Sequence, residues 1–422
     1  MDNVELIEAA RRSSVRRLME PIHKSRNFTA LWSGQTLSQF GDGVLWVVLP
    51  LCVYSINKST LDMGWIMALL MIPQVILLPF AGVLVDRVSR SRLMITTETV
   101  RCLIVGTLAV LSALHHMSIP ILSGFVIIYA IMDALFQPAY SAARAQIFTD
   151  DIRSAALSLT QVSQELGRLL GPAIGGVIAG FISIGAGFGF DAIMLCISVI
   201  TLSFLRVPKP RYERHRSSQI LRNFGRDLIG GFIELRKHSW LWITIVAFTV
   251  INIADTGITA ILLPWLVKVH LHLPDTSYGL VNSAAGVGAI VAALLYGRKN
   301  NHRRRGFVGY GCIIVNALAF LFLTLGHSTF ELMLLMAVAN GAIMIFMLIW
   351  EGSLQELIPS ESYGRVASLD LFGSWTLLPI GNVLSGWLAT KIGGIETMLI
   401  EGTLMFCVAI GVMLIPAIRK FD

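Results

Sequence analysis

The chain has 422 residues, of which 55% are hydrophobic and 14% charged, and its mean hydropathy is +0.71. Soluble domains carry about 25% charged residues, so the composition excludes a soluble globular protein and points to a polytopic membrane protein. The net charge of +7 raises nucleic-acid binding as a reading, but the placement of the basic residues argues against it.

Residues 1–27 are charged. Val4, Ile7, Val15 and Leu18 recur at roughly helical spacing, with Arg11, Arg12, Arg16 and Arg17 among them. The alternatives are a helix lying on the inner membrane surface and a solvated tail. No short apolar stretch followed by a small-residue cleavage site is present, so no signal peptide is expected.

Twelve apolar segments follow: 28–56, 62–85, 93–114, 119–141, 155–182, 184–205, 239–267, 276–297, 307–326, 329–351, 365–390 and 395–418. Each is long enough to cross a hydrocarbon core of about 30 Å as a helix. The long charged connection 206–238 divides them, giving an N-terminal bundle over 28–205, a linker, a C-terminal bundle over 239–418 and a tail over 419–422. Of the 33 Lys and Arg, Lys58, Lys268 and Lys391 fall in the loops of one side and Arg101 and Arg168 fall inside spans. All the others lie on the side that carries both termini. Cytoplasmic loops are enriched in such residues, so both termini are expected in the cytoplasm, and an anionic inner leaflet suits that face. The five cysteines lie far apart inside apolar runs. That spacing suggests neither a metal site nor a disulfide framework, and they are read as small buried hydrophobes.

The halves repeat each other. "GDGVLWVVLPL" (41–51) in span 1 parallels "ADTGITAILLPWL" (254–266) in span 7, each with an aspartate mid-span and a proline about two turns on. A shift of 215 residues carries "DMGWIM" onto "SYGLVN", Gly82 onto Gly297 and Arg90 onto Arg305, and "RSAALSL" (153–159) matches "RVASLDL" (365–371). Internal repeats of this kind mark secondary transporters, whose sites lie near the midplane between the repeats.

After span 2 the chain reads "GVLVDRVSRSR" (82–92). The pattern Gly82-x3-Asp86-Arg87-x2-Arg90-x-Arg92 resembles the cytoplasmic loop motif of the major facilitator superfamily, with Ser89 where the motif usually has glycine. In span 5, "GRLLGPAIGG" carries Gly167, Gly171, Pro172, Gly175 and Gly176 and looks like the signature of the family's drug/proton antiporters. Small residues at such spacing let helices approach closely, and proline bends the span. "ALFQPAYSAARAQIF" (134–148) resembles macrolide and siderophore exporters of the same superfamily. The span-4 arginine motif of other drug/proton antiporters is absent, and span 4 carries Asp133 instead.

The resemblance implies an all-α integral membrane fold of twelve helices in two pseudo-symmetric six-helix bundles. It also implies alternating access about a midplane cavity. The expected cytoplasmic gate joins Gly82, Asp86, Arg87 and Arg90 to an acid on span 11, Asp370. Arginines that only fix topology are the plainer alternative.

Charges within the spans are the candidate coupling sites, because an intramembrane charge is costly and usually faces protein or water. Asp42 and Asp255 hold equivalent repeat positions. Each reads either as a proton-coupling acid or as a structural aspartate, Asp42 for instance bonded to Ser38 one turn before it. Glu165 and Arg168 share a face of span 5 and can pair, as can Glu98 and Arg101 on span 3, which read as a structural pair. Asp133 suits either the gate or a proton path. Trp46 and Trp265 are candidate stacking surfaces for a large apolar substrate. Asp191 is read as solvated near the outer end of span 6. Met63, Met67 and Met71 share a face of span 2 that reads as adaptable substrate lining or, more simply, as lipid-facing or core. Trp32, Trp65, Trp240 and Trp242 look like an interfacial belt.

The expected function is proton-coupled export of hydrophobic or amphipathic compounds from a bacterial-type cell membrane. The alternatives are a siderophore exporter or a lipid or lysolipid transporter of the same fold. No nucleotide-binding loop, metal cluster or Ser/His/Asp arrangement suggests an enzyme. No cofactor, metal or nucleic acid is expected; sodium stays open as coupling ion, the chain is expected as a monomer, and membrane lipids are its surroundings.

Overall fold

The computed structural model describes residues 19–206, 232, 235–236, 238–298, 304–358, 366, 369–370 and 372–419, with backbone alone for 78–87. Residues 1–18 and most of 206–238 therefore lie outside the described residues, as do the side chains of Asp86 and Arg87, and nothing is described of the surroundings of Gly82. Residues 19–24 form a helical turn, on which Lys24 pairs with Glu20 at 2.7 Å.

The described residues fold as helices: α1 (Arg26–Asn57), α2 (Thr60–Arg87), α3 (Arg90–Ala113), α4 (Ile119–Ile147), α5 (Arg153–Phe181) and α6 (Ile184–Ser203) in the first half. The second half holds α7 (Ser239–Thr256, running on to His270), α8 (Asp275–Gly297), α9 (Arg305–Leu323), α10 (Thr329–Leu357), α11 (Leu378–Ile392) and α12 (Gly394–Met413), with a short α13 (Pro416–Arg419) after it. Serines start several of them. The Ser25 hydroxyl accepts from the Phe28 amide at 3.2 Å, and Ser183 accepts from Ala186 at 3.0 Å. Ser328 and Glu331 form a capping box on α10, which satisfies orphan amides of the first turn.

Ten of these helices are long and apolar enough to cross a bilayer. The other two long helices are α5 and α11, for different reasons. α5 carries Gln161, Gln164, Glu165 and Arg168, which lower its hydropathy. α11 begins at Leu378, later than the expected 365, because Pro379 has no N–H for the Trp375 carbonyl and the helix breaks at Thr376–Leu377. α7 also departs from regularity. It widens into π-helical turns at Gly257–Leu262 and Leu266–His270, a form that often marks functional sites.

Packing follows the internal repeat. In the first half α1 packs on α5 and α6, α3 on α4 and α6, and α2 on α4. In the second half α7 packs on α11 and α12, α9 on α10 and α12, and α8 on α10. Adding six to each number converts the first set into the second. The contacts across the halves, α2 with α11 and α5 with α8, exchange under the same operation. The helices thus form two six-helix bundles related by pseudo-symmetry.

With twelve helices, α1 and α12 present the termini on one side, here the terminus side; the other is the far side. The halves meet toward the far side. The Tyr54 hydroxyl donates to the Ile261 carbonyl at 2.7 Å, and Thr60 donates to the Gly386 carbonyl at 3.0 Å. A Cβ on Gly64 would lie 2.4 Å from the Asn382 carbonyl oxygen, and one on Gly279 would lie 2.6 Å from the Gly176 Cα. Deeper in, Ser283 donates to the Leu169 carbonyl at 2.9 Å, and the Asn382 amide meets the Met71 sulfur at 3.5 Å. Among the described residues, the hydrogen bonds that join the halves all lie between mid-depth and the far side. The far side is sealed.

Candidate functional site

The first half holds a polar cluster at mid-depth, built from α1, α2, α3, α4 and α6. α3 contributes Arg101, which is 2% exposed. Its Nη2 contacts Asp42 Oδ1 of α1 and the Tyr129 hydroxyl of α4, and its Cζ stands 4.5 Å above the Tyr129 ring. The Tyr129 hydroxyl donates to the same Asp42 oxygen at 2.7 Å. Arg101 Nη1 faces Asp133 Oδ1 of α4 at 3.7 Å and Glu98 Oε1 at 3.9 Å. Gln74 of α2 donates to Asp133 Oδ2 at 3.0 Å. Ser38 donates to Glu98 Oε1 at 3.2 Å. On α6, Asp191 is fully buried, and its Oδ1 lies where a Cβ on Gly41 would stand, 2.2 Å from it.

Asp42, Glu98 and Asp133 thus lie within 4 Å of one guanidinium, and Asp191 is buried against Gly41, the residue before Asp42. Glu98 Oε2 and both Asp191 oxygens are buried without a hydrogen-bond partner. Low-dielectric surroundings penalise every uncompensated charge, and like charges at short range disfavour joint ionisation. One arginine offsets one carboxylate. The arrangement is suited to taking up and releasing a proton or another small cation.

The cluster has an open edge. Asp42 is 30% exposed and Trp46, one turn on, is 52% exposed, although α1 is packed by α5 and α6 on its other faces. On α5, Arg168 is 76% exposed and stands 3.5 Å from Glu165, which accepts from Gln161 at 2.9 Å. Exposed Val162, Leu166 and Val177 lie on a different face of α5 from these three. The Gln161, Glu165 and Arg168 face is continuous with Pro172, whose carbonyl meets Gly279 of α8. It therefore looks inward, between the halves. Asp42 and Trp46 of α1 and Glu165 and Arg168 of α5 are thus accessible at the surfaces of their helices.

A sequence profile of the Major Facilitator Superfamily matches residues 31–374. The chain belongs to this superfamily. Macrolide efflux protein A of Streptococcus pyogenes is 23% identical over 399 residues, 94% of this chain and 97% of the relative. Multidrug efflux pump Tap of Mycolicibacterium fortuitum is 22% identical over 406 residues, 94% of this chain and 96% of the relative. In solved structures, the nucleoside transporter NupG has a TM-score of 0.69 at 15% identity, covering 94% of this chain and 99% of its own. A POT family transporter in complex with 5-aminolevulinic acid has a TM-score of 0.67 at 13% identity, covering 92% and 96%. These likenesses show the fold, and the chain is a multi-pass membrane transporter rather than an enzyme.

Within the transporter, the residues expected at the site separate into groups. Asp42 and Asp133 come together with Glu98 and Arg101, which the sequence reading treats as a separate structural pair. Asp42 is held by Arg101 and Tyr129, while Ser38 serves Glu98. Asp255 is half-buried on α7, the counterpart of α1. Trp265 does not join the Trp46 surface: its ring packs 2.4 Å from a Cβ position on Gly394 and stacks on His270 at 5.3 Å, and in the repeat it corresponds to Leu51 rather than to Trp46. Asp191, expected to be solvated, is buried, because α6 presses it on the glycine of α1. Met63 and Met67 are fully buried, so that face of α2 is core.

Of the expected gate, Arg90 Nη1 donates to the Ala142 carbonyl at 3.0 Å, and Asp370 accepts from the Trp350 indole at 3.0 Å. Each is held within its own half. In the span-5 motif, Gly167, Gly171 and Gly175 face α1: a Cβ on Gly171 would lie 2.7 Å from the Gly43 Cα. Gly176 faces Gly279 of α8. Trp32 donates to Ser163 at 2.9 Å and Trp240 packs edge-on to Trp350, so the expected belt keeps Trp65 and Trp242 on outward faces. Cys196 and Cys407 are exposed, against the expectation of burial, because they fall on outward faces of α6 and α12. Tyr129 and Gln74 of the cluster, and Glu401 of the second half, join the candidate residues without having stood out in the sequence. Glu401 alone gives a direct signal, an acid inside an apolar run.

Proposed function

We propose that the transporter exports hydrophobic or amphipathic small molecules across the cell membrane, driven by protons moving the other way. The observation that carries this reading is the charge imbalance of the first-half cluster, with three carboxyls within 4 Å of Arg101, a fourth, Asp191, buried against Gly41, and an edge at Asp42 that opens beside Trp46. The names of the relatives, macrolide efflux protein A and multidrug efflux pump Tap, support the substrate class. Trp46 offers an apolar face to cargo, and the part-exposed Asp42 one turn before it favours neutral or cationic molecules.

Alternating access gives the cycle. The sealed far side faces out, and the terminus side faces the cytoplasm, as the basic loops require. Cargo enters between the halves from inside. Proton binding at Asp42 weakens its hold on Arg101, and the freed guanidinium turns to Asp133 and Glu98. Cargo and proton compete for the same edge, so the two move in opposite directions. In the opposite state, the loop motif of Asp86, Arg87 and Arg90 closes the cytoplasmic side near Asp370. The separate partners of Arg90 and Asp370 here accord with a state in which that latch is released.

The test is accumulation of a fluorescent lipophilic cation in inverted membrane vesicles under an imposed proton gradient. Gradient-driven accumulation that Asp42→Asn abolishes is the expected result. Wild-type accumulation in that variant overturns the assignment of Asp42. Accumulation that follows a sodium gradient alone overturns the choice of ion.

A further inference from the structure

The second half holds a buried acid outside the cluster described above. Glu401 of α12 is 6% exposed. Its Oε1 accepts from the Ser385 hydroxyl of α11, and its Oε2 is buried without a hydrogen-bond partner. A Cβ on Gly257 would lie 2.8 Å from both carboxylate oxygens. The acid therefore sits flat on the α7 backbone where its π-helical stretch begins.

Nothing charged answers it from the elements packed on α12, among the described residues. On α7, Asp255 is two residues before Gly257, so its side chain leaves from nearly the opposite side of the helix. α9 presents Leu321 beside Gly402. α11 offers Ser385, with Lys391 a turn and a half further toward the far side. α13 brings Arg419 to the Met413 carbonyl at 3.3 Å, on the terminus side. A carboxylate without a cation is strongly disfavoured in such surroundings, whereas a neutral carboxylic acid fits them.

The geometry repeats that of the first half. There Asp191 of α6 presses on Gly41 of α1; here Glu401 of α12 presses on Gly257 of α7. Under the pseudo-symmetry α6 becomes α12 and α1 becomes α7. Unlike Asp191, Glu401 has no arginine nearby among the described residues; like Asp191, it touches a helix that contributes to the far-side seal. Four residues beyond Gly257, the Ile261 carbonyl accepts the Tyr54 hydroxyl of α1.

We propose that Glu401 is a second proton-binding site of the transporter, and that a proton on it holds the far side closed through the π-helical stretch of α7. With the proton in place, the neutral acid packs on Gly257 and α7 keeps the turns that offer the Ile261 carbonyl to Tyr54. Loss of the proton creates a charge that needs water. Water reaches it when α7 and α1 part on the far side, so the ionised form favours the far-side-open state. Each cycle then loads a proton at Glu401 from the far side before the transporter closes there. The placing of this step in a transport cycle rests on the proton-coupled reading above; binding of a proton at Glu401 does not.

The experiment uses the full chain in lipid nanodiscs, spin-labelled through His116→Cys and His327→Cys, one far-side loop position in each half, with Cys196 and Cys407 replaced by serine. In the wild-type background, raising the pH lengthens the label-to-label distance. In Glu401→Gln, a permanent mimic of the neutral acid, the distance stays short at alkaline pH. In Ser385→Ala, which removes the donor to the ionised form, the lengthening moves to higher pH. Infrared difference spectra between acid and alkaline buffer show a protonated-carboxyl band that Glu401→Gln lacks. Lengthening in Glu401→Gln with the wild-type midpoint, or an unchanged carboxyl band, overturns the proposal, while Asp42→Asn still decides the first-half cluster separately. A wild-type distance that ignores pH overturns the link to the seal. If Glu401→Gln fails to give a monodisperse protein, the Ser385→Ala midpoint decides, and an unmoved midpoint counts against the proposal.

Discussion

At the scale of single residues, Arg101 organises the first half. It touches Asp42 and Tyr129 directly and lies within 4 Å of Asp133 and Glu98. Removing one partner of a buried pair leaves the others uncompensated and costs about 3–5 kcal/mol. Arg101→Gln is expected to lower the midpoint of thermal unfolding well below that of Arg101→Lys, which keeps the charge; equal midpoints would mean that Arg101 packs by shape alone. Much of this site is legible in the sequence, since Asp42, Asp133, Glu98 and Arg101 each stand out as charges in apolar runs. Their convergence is not legible, because it depends on how α1, α3 and α4 rotate against one another. Periodicity places Glu98 and Arg101 on one face of one helix and gives no sign that the face meets Asp42. Asp191 misleads for the same reason: its distance from the span end suggests water, and only the contact with Gly41 buries it.

At the scale of helices, glycine sets the contacts between the halves. Gly64 and Gly386 bring α2 and α11 together, with a Cβ on Gly386 placed 2.4 Å from the Thr60 carbonyl oxygen, and Gly176 and Gly279 do the same for α5 and α8. The neighbours at all four positions are backbone atoms, which cannot move aside singly. Gly279→Ala is expected to destabilise the sealed far side by about 1–3 kcal/mol, the usual cost of overpacking. Distance measurements across the far side should show the open population rising, and an unchanged distribution would exclude a role for this crossing. The span-5 glycines were visible as a pattern, but their division of labour was not, since Gly171 serves α1 inside the half and Gly176 serves α8 across it. The late start of α11 traces to Pro379, a residue whose effect is local and readable. The π-helical turns of α7 are less readable: Pro264 lies between them, yet Pro50 at the matching repeat position leaves α1 a regular helix.

At the scale of the whole molecule, twelve helices, the division into halves and the repeat were all legible, because span length and charge placement follow from the bilayer itself. The conformational state was not, since one sequence must support more than one. The state seen is closed on the far side, where the Thr60 and Thr390 hydroxyls lie 3.0 Å apart. Joining Thr60→Cys to Thr390→Cys by oxidation should hold the transporter in this state and stop transport, with reduction restoring it. Continued transport by the oxidised pair would show that this contact need not open.

The central claim is that cargo and proton compete at the Asp42 edge. It is tested most directly by adding a lipophilic cation to the purified transporter in weakly buffered detergent solution and following proton release with a pH indicator. Release by the wild type that saturates with binding, and its loss in Asp42→Asn with cation binding retained, is the predicted result. Binding without proton release in the wild type, or equal release from Asp42→Asn, would contradict it.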